Sequence, residues 1–131
     1  MMLVVDSSAI IAILLNEPDA EHLARILESA SAPCIPAPVF VEAAIVMLAR
    51  KGDPGLAALD AFVRETGLTI ADMTAAQATY AIDAFRRFGK GRHPAGLNLG
   101  DCYAYALASA LKAPLLFKGE DFARTDILPA V

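Results

Sequence analysis

Asp6, Glu42 and Asp101 are acids without charged company. Asp6 is the only charged residue among the first sixteen, between Leu3-Val4-Val5 and Ser7-Ser8-Ala9-Ile10-Ile11. Glu42 is the only charge between Glu28 and Arg50, and a helix from Pro38 to Arg50 would give it the apolar neighbours Pro38, Val39, Ile45 and Val46. Asp101 is the only charge between Arg92 and Lys112, within Leu99-Gly100-Asp101-Cys102-Tyr103-Ala104-Tyr105. Carboxylates are almost never fully buried unless they are paired or bound to a metal. Three of them with no Lys or Arg at hand point to neutralisation by a cation.

Taken singly, each acid also has a plain structural explanation as a helix cap, a turn former or a half-exposed edge residue. Asp6 is placed to cap a helix starting near Ser8. Asp101 follows a glycine, although its helix is expected to start nearer Asn98. Glu42 resists this explanation, because capping favours the first turn and its helical neighbours are apolar. Three such coincidences in one short chain weigh less than one common cause.

Other site chemistries find little support. Cys34 and Cys102 are lone thiols without CxxC spacing, and His22 and His93 have no ligand-like companions, so a zinc centre is not expected. The same two histidines leave no Ser-His-Asp or Cys-His arrangement. Both cysteines read as small core residues and His22 as a solvated helix residue.

The elements that must position the acids alternate along the chain. Met2 to Val5 reads as a buried strand, Ser8 to Leu15 as a helix, and Asp19 to Ser31 as a helix capped by Asp19. A short strand at Cys34-Ile35 precedes a helix opened by Pro38, at the first-turn position that proline favours. Gly52 to Gly55 is a turn, followed by a helix to Glu65 and a strand over Leu68 to Ala71. A helix capped by Thr74 runs to Phe88, a loop covers Gly89 to Gly96, and a helix spans Asn98 to Leu111. Pro114 to Phe117 is a strand, Gly119 to Arg124 a turn or short helix, and Ile127 to Val131 a last strand. We therefore expect one domain over residues 1–131 with a three-layer α/β/α fold and a mostly parallel sheet of about five strands. Ligands of such sheets bind beyond the carboxyl ends of the strands. Asp6 and Gly119-Glu120-Asp121 fall on that rim, and the helices carrying Glu42 and Asp101 start from it. Four acids from four segments thus converge.

Those four segments carry a resemblance. Val4-Val5-Asp6-Ser7-Ser8-Ala9-Ile10, a helical Glu42, Leu99-Gly100-Asp101-Cys102-Tyr103-Ala104-Tyr105-Ala106 and Phe117-Lys118-Gly119-Glu120-Asp121-Phe122 look like the PIN-domain ribonucleases. More narrowly they resemble the VapC toxins of bacterial toxin–antitoxin pairs. The likeness covers the whole chain in length and motif order. It implies an endoribonuclease dependent on Mg²⁺ or Mn²⁺, with catalytic and metal-binding acids Asp6, Glu42, Asp101 and Asp121, and with Ser7 or Ser8 and Asn98 supporting them through hydrogen bonds. Where many relatives have an uncharged residue before the fourth acid, this chain has Glu120; Asp121 fits the motif. The residue types agree with that chemistry, since Mg²⁺ and Mn²⁺ prefer hard oxygen ligands.

An RNA substrate calls for positive charge, yet the chain carries a net charge of −4. Its cations are uneven: Arg86, Arg87, Lys90 and Arg92 crowd together beside His93. Arg86 and Arg87 read as a solvated helix end paired with Asp83. Lys90, Arg92 and Lys118 are the candidate phosphate contacts. Two rival functions fit less well. A receiver domain requires paired acids after its first strand, which Asp6 lacks. A non-catalytic α/β interaction domain predicts the loss of some of the four acids, and all four are present.

Hydrophobic residues make up 56% of the chain, more than so small an interior can hold. A homodimer is therefore expected, with an apolar groove near Ile10 to Leu15 and Ile45 to Leu48 for a helical antitoxin segment. No apolar run is long enough to span a bilayer, and Asp6 interrupts the N-terminal one without basic residues before it, so the location expected is the cytoplasm.

Overall fold

A computed structural model describes residues 1–130. In chain order the elements are β1 (Met2–Val5), α1 (Ser7–Leu14), α2 (Ala20–Ser29), β2 (Ala32–Pro36), α3 (Ala37–Lys51), α4 (Asp53–Thr66), β3 (Thr69–Ala71), α5 (Ala75–Phe88), α6 (Leu99–Leu111) and β4 (Leu115–Leu116), then a 3₁₀ turn at Phe122–Arg124. The strands form one parallel sheet in the order β3-β2-β1-β4. Helices on its faces make the layered α/β/α arrangement that the alternation implies. From β1 the chain steps outward to β2 and β3, then crosses back to place β4 on the other side of β1. That reversal makes the carboxyl end of β1 the switch point of the sheet.

Leu3, Val4 and Val5 are fully buried, as are Ile35, Leu115 and Leu116 on the neighbouring strands. A short strand without polar alternation is what burial on both faces of a parallel sheet requires. The helix starts follow capping chemistry. Thr74 accepts a hydrogen bond from the Gln77 N–H at 3.1 Å. Asn98 and Asp101 form a reciprocal capping box at the start of α6. Gly52, at φ 66°, joins α3 to α4 through a backbone conformation that side chains disfavour. Asp19 takes the N-cap position of α2 but makes no capping hydrogen bond; its carboxylate lies 3.4 Å from the Lys118 ammonium instead.

Among the described residues the sheet has four strands rather than about five. The segment expected as a last strand makes a single bridge, Leu115 to Pro129, with Ala130 N–H donating to the Leu115 carbonyl. The bonds flank Pro129 on both sides, and with β4 only two residues long the ladder has no room to run further; Val131 lies outside the described residues. Cys34 and Cys102 are buried and free, and His22 is exposed, as expected. No helix among the described residues is long and apolar enough to cross a membrane.

Candidate active site

Asp6 is the residue at which β1 ends and α1 begins. Its backbone continues the sheet, with its N–H donating to the Leu116 carbonyl at 2.9 Å, while its side chain caps the helix. Oδ2 accepts from both the Ser8 N–H (3.1 Å) and the Ser8 hydroxyl (2.6 Å). Asp6 is only 3% exposed, and its Oδ1 is buried with no hydrogen-bond partner. The capping hydrogen bonds thus fall on one oxygen of the carboxylate and leave the other unpartnered. Burial raises the Asp6 pKa above the usual carboxylate value, and the charge of Glu42 adds to this; the Ser8 hydrogen bonds oppose it.

Glu42 sits in the second turn of α3. Ser7 at the start of α1 donates its hydroxyl to Glu42 Oε1 at 2.7 Å. Both serines therefore act, and on different acids: Ser8 on Asp6, Ser7 on Glu42. Glu42 also lies flat against the first turn of α6. A Cβ on Gly100 would come within 2.5 Å of Glu42 Oε2, so only glycine lets the carboxylate rest there undisplaced. That close approach of α3 to α6 was not read from the sequence, where Gly100 is simply the residue before an acid.

Asp101 occupies the third position of α6. Its Oδ2 accepts from the Asn98 N–H at 3.1 Å, and its own N–H donates to Asn98 Oδ1 at 2.9 Å. Burial pushes its pKa up to about 6, with the charges of Asp6, Asp121 and Glu42 adding to the effect. The other three predicted acids are therefore each in electrostatic reach of Asp101. Asp121, just ahead of the 3₁₀ turn, is exposed, as is Glu120 beside it. Its loop joins the others through Ser8, whose hydroxyl oxygen accepts from the Lys118 N–H at 3.0 Å.

A divalent cation fits the residues present. The side chains are all hard oxygen donors, and one buried oxygen lacks any partner inside the protein. Asp6, Glu42 and Asp101 each have one oxygen held by an internal donor, which orients the other. Among the described residues no three ligand-type side chains close to metal-ligand spacing.

The candidate cations are placed less uniformly. Lys118 turns its ammonium to Glu17 and Asp19 on the α1–α2 connection. Lys90 and Arg92 lie exposed in the loop that leads into Asn98, and Arg92 Nε donates to the Arg86 carbonyl at 3.3 Å. Arg86 and Arg87 do pair with Asp83, at 3.6 and 3.5 Å.

A family model described as PIN domain matches residues 3–128. Ribonuclease VapC30 of Mycobacterium tuberculosis is 44% identical over 125 residues, covering 95% of each chain. Ribonuclease VapC of Mycolicibacterium smegmatis is 45% identical over 125 residues, covering 95% of this chain and 97% of its own. Among solved structures, Mycobacterium tuberculosis VapC20, described as a Sarcin-Ricin loop cleaving toxin, superposes with a TM-score of 0.78 at 16% identity, covering 96% of both chains. VapBC2 from Rickettsia felis, bound to a DNA fragment from its promoter, gives 0.76 at 18% identity, covering 98% of this chain and 96% of its own. Matched almost end to end by both model and relatives, the chain belongs to the PIN domain family, among its VapC ribonucleases.

Proposed function

We propose that this chain is a cytoplasmic endoribonuclease, one PIN-like domain that cleaves RNA phosphodiester bonds with Mg²⁺ or Mn²⁺ and serves as the toxin of a toxin–antitoxin pair. The relatives named as VapC ribonucleases support the activity. The observation that carries the site is the unpartnered, buried Oδ1 of Asp6, beside an Asp101 that feels the charges of Asp6, Glu42 and Asp121 from three other segments. Asp6, Glu42, Asp101 and Asp121 would hold the ion. When bound, it supplies positive charge that stabilises the attacked phosphate and makes water acidic enough to attack near neutral pH.

The chain's own residues prepare that chemistry. Ser8 and Ser7 fix the orientation of Asp6 and Glu42, and Asn98 holds Asp101 in the first turn of α6. No histidine is needed as a base. Lys90 and Arg92, exposed in the loop that leads into Asn98, are the better placed phosphate contacts. The side chain of Lys118 is engaged by Glu17 and Asp19, so its contribution is the smaller.

The test is Asp101→Asn together with chelation. The variant should fold and lose RNA cleavage, and chelator should stop the wild type until Mg²⁺ or Mn²⁺ is restored. Mn²⁺ should also raise the melting temperature, by the equivalent of roughly 2.7 kcal/mol at a hundredfold excess over Kd. A folded and active Asp101→Asn protein, or undiminished cleavage in chelator, contradicts the reading.

Two partners go with this proposal. Structures of VapBC complexes among the neighbours support a cognate antitoxin. The groove expected for it is partly occupied by the protein itself: Ile10 lies in the core, α1 packs on α3, and Ile45 and Leu48 remain exposed. A second apolar face spans two adjoining hollows that share Leu99: one of about 440 Å³ between α5 and α6 with Ile82 and Phe85, and one of about 340 Å³ between α3 and α6 with Val41 and Ile45. A homodimer through this face accounts for so much exposed apolar surface. Light scattering of Ile82→Glu against wild type decides it: a wild-type monomer at micromolar concentration rules the dimer out.

A further inference from the structure

We infer that Tyr105, Asp126 and Arg87 form a clamp that positions Asp121 against Asp101. The inference rests on the reading of the four acids as the active site, and adds residues that this reading does not use. Tyr105 lies four positions after Asp101 on α6, one turn away on the same face. Its hydroxyl donates to Asp126 Oδ1 at 2.6 Å. Arg87, at the end of α5, donates from Nη2 to Asp126 Oδ2 at 3.1 Å and from Nη1 to the Tyr105 hydroxyl at 3.2 Å. Three side chains from α5, α6 and the C-terminal segment thus close a single triangle of hydrogen bonds.

Asp126 follows Asp121 by five positions, and the chain between them is tightly wound. Phe122 is 3% exposed and packs at a tilt on Phe117 with ring centroids 5.2 Å apart. Thr125 donates its hydroxyl to the Phe122 carbonyl at 2.7 Å and accepts from the Ile127 N–H at 3.2 Å. Holding Asp126 therefore holds Asp121. At the other end of the loop, Lys118 N–H is tied to Ser8, the residue that orients Asp6. The loop bearing the exposed fourth acid is anchored at both ends to residues that belong with the other acids.

Stability alone does not explain the clamp. Arg87 and Asp126 side chains are 44% and 56% exposed, and ion pairs so exposed contribute little to folding. Tyr105 is 4% exposed, and phenylalanine would fill the same space without a hydroxyl that needs a buried partner. The hydroxyl has a use if placement of Asp121 matters, because a carboxylate ligand works only when its supports hold it in place.

The experiment compares Tyr105→Phe and Asp126→Asn with wild type, measuring kcat and KM for cleavage of an RNA that the wild type cuts. Calorimetry with MnCl₂ alone supplies a second readout. Each variant should lose several-fold and at most about tenfold in kcat, no more than Asp121→Asn itself and at the low end of the scale for residues that orient metal ligands. KM should stay within about twofold, and Mn²⁺ affinity should fall by a factor similar to that in kcat. Tyr105→Phe combined with Asp121→Asn should be no slower than Asp121→Asn alone, since both act through one carboxylate. Wild-type kcat and Mn²⁺ affinity in both variants, or additive losses in the double variant, overturn the clamp. Asp126→Asn decides alone if Tyr105→Phe does not fold. Inactive Asp101→Asn beside fully active clamp variants defeats the clamp only, whereas active Asp101→Asn defeats the four-acid reading itself.

Discussion

Asp6 and Asp121 are the same side chain in opposite settings. Asp6 is built into the junction of the central strand and the first helix, 3% exposed, with two donors on one oxygen and none on the other. Asp121 stands exposed on a loop after the short strand β4, beside a single 3₁₀ turn. Sheet and helix place the first acid; only the loop's tethers place the second. The four acids therefore have a rigid side, built around a buried carboxylate, and a side open to solvent. Glu42 and Asp101 lie between the two, half-buried and each held by one donor.

The largest expected effect tests that difference directly. At saturating Mn²⁺, Asp6→Asn should slow single-turnover cleavage by at least 10²–10³-fold, about the cost of losing one preorganised group that stabilises transition-state charge. Asp121→Asn should lose only about tenfold, since an exposed ligand can be replaced by water. Equal losses would erase the distinction between the two sides. In chelator, Asp6→Asn should melt no lower than wild type. Asparagine caps a helix as well as aspartate, and the substitution removes a charge buried without a partner. A clear drop in melting temperature would mean that the cap, rather than the cation, explains the buried acid.

The rigid side was the more legible in sequence. A strand with no polar residue, ending at Asp6 before Ser7-Ser8, fixes its own burial and its helix cap through local rules. Asn98 as the cap of α6 and Thr74 as the cap of α5 were readable for the same reason. What escaped were contacts between elements distant in the chain. Ser7 and Ser8 could not be assigned to separate acids until α3 was placed beside α1. The Gly100 contact with Glu42 depends on how closely α3 approaches α6. Arg87 was read through its helical neighbour Asp83, which it does contact, but its bond to Asp126 spans 39 positions and carries no local periodicity. The missing fifth strand is the reverse case, because the apolar pattern near Ile127 carries no trace of how short its neighbour β4 is.

The smallest expected effect concerns pH, and sharpens the comparison through Asp101, the acid of intermediate burial. Its pKa in the folded protein is about 6 against an ordinary 3.8, so between those values the native state holds a proton that the unfolded state has lost. Stability from this group is fully present below pH 4 and is lost as pH rises through 6. Asp6, raised by burial, acts in the same direction. The metal-free protein should therefore melt lower at pH 7 than at pH 5, by only a few degrees once partial exposure is discounted. Asp101→Asn should flatten that slope in part. Cleavage should run the other way, because a protonated acid is a poor cation ligand. At limiting Mn²⁺, the rate should climb toward a plateau above pH 6 and rise about tenfold per unit below it, as for one required deprotonation. Saturating Mn²⁺ should move the midpoint to lower pH, since the ion competes with the proton for the same oxygens. A midpoint that ignores Mn²⁺ concentration would place the titrating group outside the four acids.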